Sequence, residues 1–123
     1  MSWLSVAGVL GTLSVVAGAF GAHGLRDAVT PEKLASWQTG AHYALVHSAV
    51  LVALALWASA TGRAITVPAA LFAAGIVLFS GSIFALVLWE PRALGPVTPL
   101  GGLCLIGGWA SLLWLARGAA SAP

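Results

Sequence analysis

Four long apolar runs alternate along this chain with three short stretches that hold most of its charge. The runs fall at about residues 3–22, 41–60, 68–89 and 99–116. Each is about twenty residues long, the length an α-helix needs to cross a ~30 Å hydrocarbon layer at 1.5 Å per residue. Lipid offers a backbone no hydrogen-bond partners, so a spanning segment must satisfy its own. The pattern therefore predicts an all-α membrane protein: four transmembrane helices in an antiparallel bundle, one domain over residues 1–123, with both ends on one side.

The boundaries carry their own signals. Ala17-Gly18-Ala19 has the look of a signal-peptide cleavage site, but no charged n-region precedes it, so the first run reads as a retained span. Thr30-Pro31-Glu32 starts a helix, with threonine as N-cap, proline at the first position and an acid in the first turn. Leu34, Trp37 and Ala41 then share a face. This predicts a short interfacial helix before the second span, joined to it with at most a mild kink at Gly40. Thr66-Val67-Pro68 and Thr98-Pro99 open the third and fourth spans on the same reasoning.

Glycines recur along the spans, and Gly18, Gly21, Gly81, Gly101, Gly102 and Gly108 are expected at helix contacts, where a missing side chain permits close approach. Leucine at Gly81 should then clash. Five tryptophans fall at span ends: Trp3, Trp57 and Trp114 on the terminal side, Trp37 and Trp89 on the loop side. Trp109 lands deep, as a packing residue between helices.

Composition agrees with this class: 60% of residues are hydrophobic and 7% charged. A net charge of +2 without a basic cluster gives nucleic-acid binding no support. The single cysteine, Cys104, excludes an internal disulfide and sits in an apolar run as a small hydrophobe. The terminal side carries Arg63 and Arg117 against Arg26, Lys33 and Arg92 on the loop side, so the count of basic residues barely orients the chain. The expectation is a multi-pass protein of the plasma (inner) membrane with cytoplasmic termini.

Chemistry concentrates in one place. Two of the three histidines and the only tyrosine lie between Trp37 and Ser48, at the mouth of the second span. Tyr43 and His47 share a helix face, whereas His42 and His47 point ~140° apart. That separation prevents the two histidines from pairing on one metal ion, and no Cys-x-x-Cys or Glu-x-x-His spacing supports a metal or haem, so no cofactor is expected. His47 and Ser82 each fall six or seven residues in from the loop side, ~10 Å deep. A lipid-facing imidazole there would lose water without gaining partners. His47 is therefore expected to face the first or third helix and bond a serine or backbone oxygen. His23, Tyr43, His47, Ser80 and Ser82 form the candidate polar pocket or set of interhelical bonds. Arg26-Asp27 and Glu90/Arg92 read as solvated interfacial pairs.

The chain resembles the YgdD-like family of small four-span membrane proteins. The matching segments are Gly18-Ala-Phe-Gly-Ala-His-Gly-Leu25, Thr39 with Tyr43 and His47, Leu78-Phe-Ser-Gly-Ser82, and Thr98-Pro-Leu-Gly-Gly102 with Gly108-Trp109. They touch all four spans in order. His42 stands where that family has a glutamine-like position, which makes it a poor candidate for shared chemistry. The resemblance implies fold and membrane location and supplies no reaction. Two functions are then expected to compete. The first is a structural or accessory membrane subunit without catalysis, in contact with lipid and able to join a homo-oligomer or larger complex. The alternative is a small-molecule, lipid or proton-handling protein with its pocket on the loop side.

Overall fold

A serine hydroxyl starts the first helix: Ser2 accepts from the N–H of Ser5 at 3.1 Å, and α1 runs Trp3–His23. The structure is a computed structural model that describes residues 1–120, with side chains through Gly118. Thr30 caps α2 in the same way, accepting from Lys33 N–H at 3.2 Å ahead of Pro31 and Glu32. This helix continues unbroken over Pro31–Thr61 and stops at Gly62, whose φ of 71° is left-handed. The interfacial segment is thus the first part of the second span. At 1.5 Å per residue its 31 residues reach ~46 Å, more than the hydrocarbon layer, so α2 must tilt or project into the interface.

The third span is one rod in three parts: α3 at Thr66–Gly75, a π-helical turn at Ile76–Ser80, and α4 at Gly81–Trp89. After a 3₁₀ turn at Arg92–Leu94, α5 covers Val97–Ala120. Four of these stretches are long and apolar enough to cross a membrane: Trp3–His23, Pro31–Thr61, Thr66–Trp89 and Arg92–Gly118. Their outer faces carry Leu13, Val16, Val77, Leu103 and Leu113, all more than half exposed, as a lipid-facing surface requires.

Two cores fix the antiparallel arrangement. One joins Trp3 and Leu10 of α1, Leu51 and Leu54 of α2, Ile65 just before α3, Phe72 of α3, and Leu105 and Leu115 of α5. The other joins Ala17 and Leu25 with Trp37, Ala41 and Val87. The start of α1 and the last turns of α5 therefore share one end of the bundle.

Close approach is selective among the glycines. A Cβ on Gly101 would strike the backbone of Phe79 in the π turn. One on Gly21 would lie 2.6 Å from the Trp37 ring, and one on Gly108 2.8 Å from Phe72. Gly102 keeps an ordinary 3.9 Å from Phe79. Gly18 and Gly81, expected at contacts, have nothing within 4 Å of that position. Gly18 lies on an exposed face of α1, and Gly81 lines an apolar cleft of about 440 Å³ that α1, packed on α2, leaves against the third span. The expected clash of leucine at Gly81 is therefore removed. Gly40, read as a possible kink, instead receives Ile83 and Phe84, which would stand 3.0–3.5 Å from an added Cβ.

Candidate functional site

The buried face of α2 repeats at helical spacing through Trp37, Gly40, Ala41, Ala44, His47, Ser48, Leu51 and Leu54. That periodicity takes His47 into the bundle, where 5% of it is exposed. Its Nε2 lies 3.0 Å from the indole nitrogen of Trp109 on α5. An indole N–H can only donate, so Nε2 accepts and the proton sits on Nδ1. Nδ1–H donates to the Tyr43 carbonyl oxygen at 2.7 Å, one turn back on the same helix. Both ring nitrogens are engaged by a neutral imidazole. Around it stand Phe72 at 5.8 Å, Trp109 at 5.9 Å and Tyr43 at 5.8 Å between ring centroids.

His47 thus faces the third and fourth helices and bonds a backbone oxygen, one of the two partners expected, while an indole rather than a serine makes its bond across helices. The serines are engaged elsewhere. Ser80 Oγ donates to the Gly40 carbonyl oxygen at 2.7 Å, tying the π turn to α2. Ser82 Oγ lies 2.5 Å from Thr98 Oγ1 and donates to the Phe79 carbonyl oxygen at 3.0 Å. The depth comparison failed because α2 begins at Pro31 and the third span meets it at Gly40, seven residues and ~10 Å before His47. Nor do the candidate residues converge on one pocket. His23 is exposed in the last turn of α1, and among the described residues no hydrogen bond joins it to His47, Tyr43 or Ser82. Tyr43 is 42% exposed, its ring tilted against Phe79 at 4.9 Å.

What α2, the third span and α5 do form is a groove of about 540 Å³, lined by His42, Tyr43, His47, Phe79, Leu105 and Trp109 among others. His42, expected to point elsewhere, shares it with His47. The two residues are still far apart around the helix, but the groove is wide enough to reach both. Trp109, expected only to pack between helices, is the hydrogen-bond partner of His47. The signal was available: an indole at mid-span needs an acceptor, and histidine is among the few side chains in these spans that can supply one.

Trp37 is a second correction. Placed in the interfacial belt by its position, it is 5% exposed and donates its indole N–H to the Ala17 carbonyl oxygen on α1 at 2.7 Å. Phe84 and Phe20 flank its ring at 4.4 and 5.6 Å. Among the charges, Lys33 pairs with Glu90 across the loop side, both side chains well exposed. The Arg63 guanidinium sits 5.6 Å over the Trp57 ring at the other end. Among the described residues, no three His, Cys, Asp or Glu side chains gather to hold a metal ion.

Comparison with known proteins adds the family. The family described as "Protein of unknown function (DUF423)" matches residues 17–102. The chain is 35% identical over 114 residues to a UPF0382 membrane protein of Staphylococcus haemolyticus, covering 92% of this chain and 93% of that one. It is 40% identical over 119 residues to a UPF0382 membrane protein of Schizosaccharomyces pombe, covering 92% and 99%. To the UPF0382 membrane protein YwdK of Bacillus subtilis it is 40% identical over 99 residues, covering 79% and 80%. No solved structure matches. With four membrane-length helices and relatives of this kind over nearly its whole length, the chain belongs to the DUF423 family of UPF0382 membrane proteins, integral membrane proteins to which no specific activity is assigned.

Proposed function

We propose that this protein is a structural or accessory subunit of a membrane assembly, without catalysis of its own. The observation that carries the reading is the use made of its polar groups. Among the described residues every buried side-chain nitrogen or oxygen has a hydrogen-bond partner. Four of those bonds join different helices or spans: Trp37 to Ala17, Ser80 to Gly40, Ser82 to Thr98 and Trp109 to His47. Polar groups engaged this way hold register in lipid, where an unmade bond costs several kcal/mol. The setting is a plasma (inner) membrane with cytoplasmic termini, and the partner is a second copy or another membrane protein.

One observation favours a second reading. The groove beside His47 presents an imidazole, a phenol and an indole at its lipid-facing mouth, a lining suited to a flat, amphipathic small molecule. Purification in a mild detergent, followed by mass spectrometry of protein and small-molecule contents, separates the two. A stoichiometric protein partner or second copy supports the accessory role. A stoichiometric small molecule that is lost from Tyr43→Leu or His42→Leu overturns it in favour of the groove.

A further inference from the structure

The net charge of this chain sits at one end of the bundle. Its three acids, Asp27, Glu32 and Glu90, all lie on the loop side beside Arg26, Lys33 and Arg92, and Lys33 is paired with Glu90. The opposite end holds Arg63 and Arg117 and no acidic side chain. Both arginines line the same cavity, about 680 Å³ in volume, between the turn that joins α2 to α3 and the last turns of α5. That is within the ~300–1,000 Å³ of ordinary ligand sites. Arg63 is held in place: its guanidinium lies over Trp57, its backbone N–H donates to Thr61 Oγ1 at 3.3 Å, and its Nη2 reaches across to Gly118, the neighbour of Arg117 in sequence. Beside the hydroxyls of Thr66 and Ser111, the rest of the wall is mainly apolar, formed by Val67, Pro68, Trp114 and Leu115.

We propose that this cavity binds the phosphodiester of an anionic phospholipid, with Arg63 and Arg117 on the phosphate and an acyl chain along the Val67–Leu115 wall. Three features point to that occupant. Two guanidinium groups line one cavity with no acidic side chain at their end of the bundle, which favours an anion between them. Arginine donors fit phosphate oxygens two at a time. A cationic mouth above an apolar wall at the membrane surface matches the division of a phospholipid into headgroup and chain. A free phosphate would use the arginines and leave the apolar wall uncovered.

Native mass spectrometry of the full chain in detergent tests this, with phosphatidylglycerol or phosphatidylcholine titrated in. The expected result is preferential retention of phosphatidylglycerol, reduced roughly fivefold by the removal of each arginine. Arg117→Gln is the first variant, since Arg117 is exposed in the last turn of α5 and its loss leaves the bundle packing untouched. Arg63→Gln is the second, and Arg92→Gln on the loop side is the control. Equal retention of the two lipids overturns the proposal. So does retention unchanged in Arg117→Gln, or an equal loss in Arg92→Gln. Displacement of the lipid by millimolar inorganic phosphate overturns the lipid assignment and leaves a free-phosphate site.

Discussion

Trp109 of α5 donates its indole N–H to Nε2 of His47 in α2 at 3.0 Å, across a sequence separation of 62. Neither group has water to fall back on at mid-span, so each is the other's answer to the same desolvation problem. The pair should be energetically coupled. Interhelical bonds of this kind contribute ~0.6–2 kcal/mol in membranes. His47→Leu and Trp109→Phe should each lower thermal stability, and the double variant should lose less than the sum, by about that coupling. His47→Gln should be milder than His47→Leu, because an amide can still accept from the indole and donate to the Tyr43 carbonyl oxygen. A double-mutant cycle in one detergent measures this, and additive losses would show the bond to be energetically empty. His42→Leu should cost less than His47→Leu, since His42 is exposed at the groove mouth.

The glycines give a ranked prediction. Gly101→Ala should be the most damaging, because its Cβ meets the Phe79 backbone, which cannot rotate away. Gly21→Ala meets a side chain, the Trp37 ring at 2.6 Å, and should cost ~1–3 kcal/mol as the indole shifts off its bond to Ala17. Gly18→Ala and Gly81→Ala meet nothing within 4 Å, and alanine is the better helix former by up to ~1 kcal/mol. Both should leave melting temperature unchanged or raise it. A fall as large as that of Gly21→Ala at either position would mean that their faces are covered by a partner.

The four apolar helices and their order could be read from the chain because length and hydropathy fix them directly, whereas glycine spacing did not separate the close contacts at Gly21, Gly101 and Gly108 from the open positions at Gly18 and Gly81. Nor could the partners of the polar residues be read. Assigning His47 its cross-helix partner required knowing how far α2 slides past the third span, and hydropathy locates a span only to within a few residues. The helix starts at Pro31 and meets the π turn at Gly40, a two-turn shift that exchanged Ser82 for Trp109. The π turn itself left no trace in the apolar sequence Ile-Val-Leu-Phe that begins it. Trp37 misled for a related reason: a tryptophan near a span end fits the aromatic belt, and only the packing of Gly21 against it reveals a buried indole.

Glu90 holds a left-handed backbone, with φ of 54°, at the C-terminal cap of α4. A residue with a Cβ pays ~1–2 kcal/mol for that conformation, which glycine avoids. The ion pair with Lys33 offsets little of this, because both side chains are exposed to solvent. Glu90→Gly should therefore be neutral or stabilising, whereas Glu90→Ala keeps the strain, loses the pair and should be the less stable of the two. Thermal unfolding of both variants at low and high salt checks the order. If Glu90→Gly proved the less stable, the pair would outweigh the strain.

Orientation is the last prediction, and charge placement argues it. Basic residues number two at the terminal end and three at the loop end, a near tie for the positive-inside rule. The tie is uneven in kind. Lys33 is bound to Glu90, and Arg26 and Arg92 share their end with Asp27 and Glu32, whereas Arg63 and Arg117 face no acidic side chain. The end with unopposed cations should lie where anionic lipids concentrate, the cytoplasmic leaflet. With Cys104 replaced by alanine, cysteine at Arg63 should resist membrane-impermeant thiol reagents in intact cells. Cysteine at Ala93, exposed in the turn between the third and fourth spans, should react readily. Reporter fusions at the two ends of the chain should give the same cytoplasmic signal. Labelling at position 63 with protection at 93 would reverse the topology, and opposite signals from the two ends would break the four-span arrangement itself.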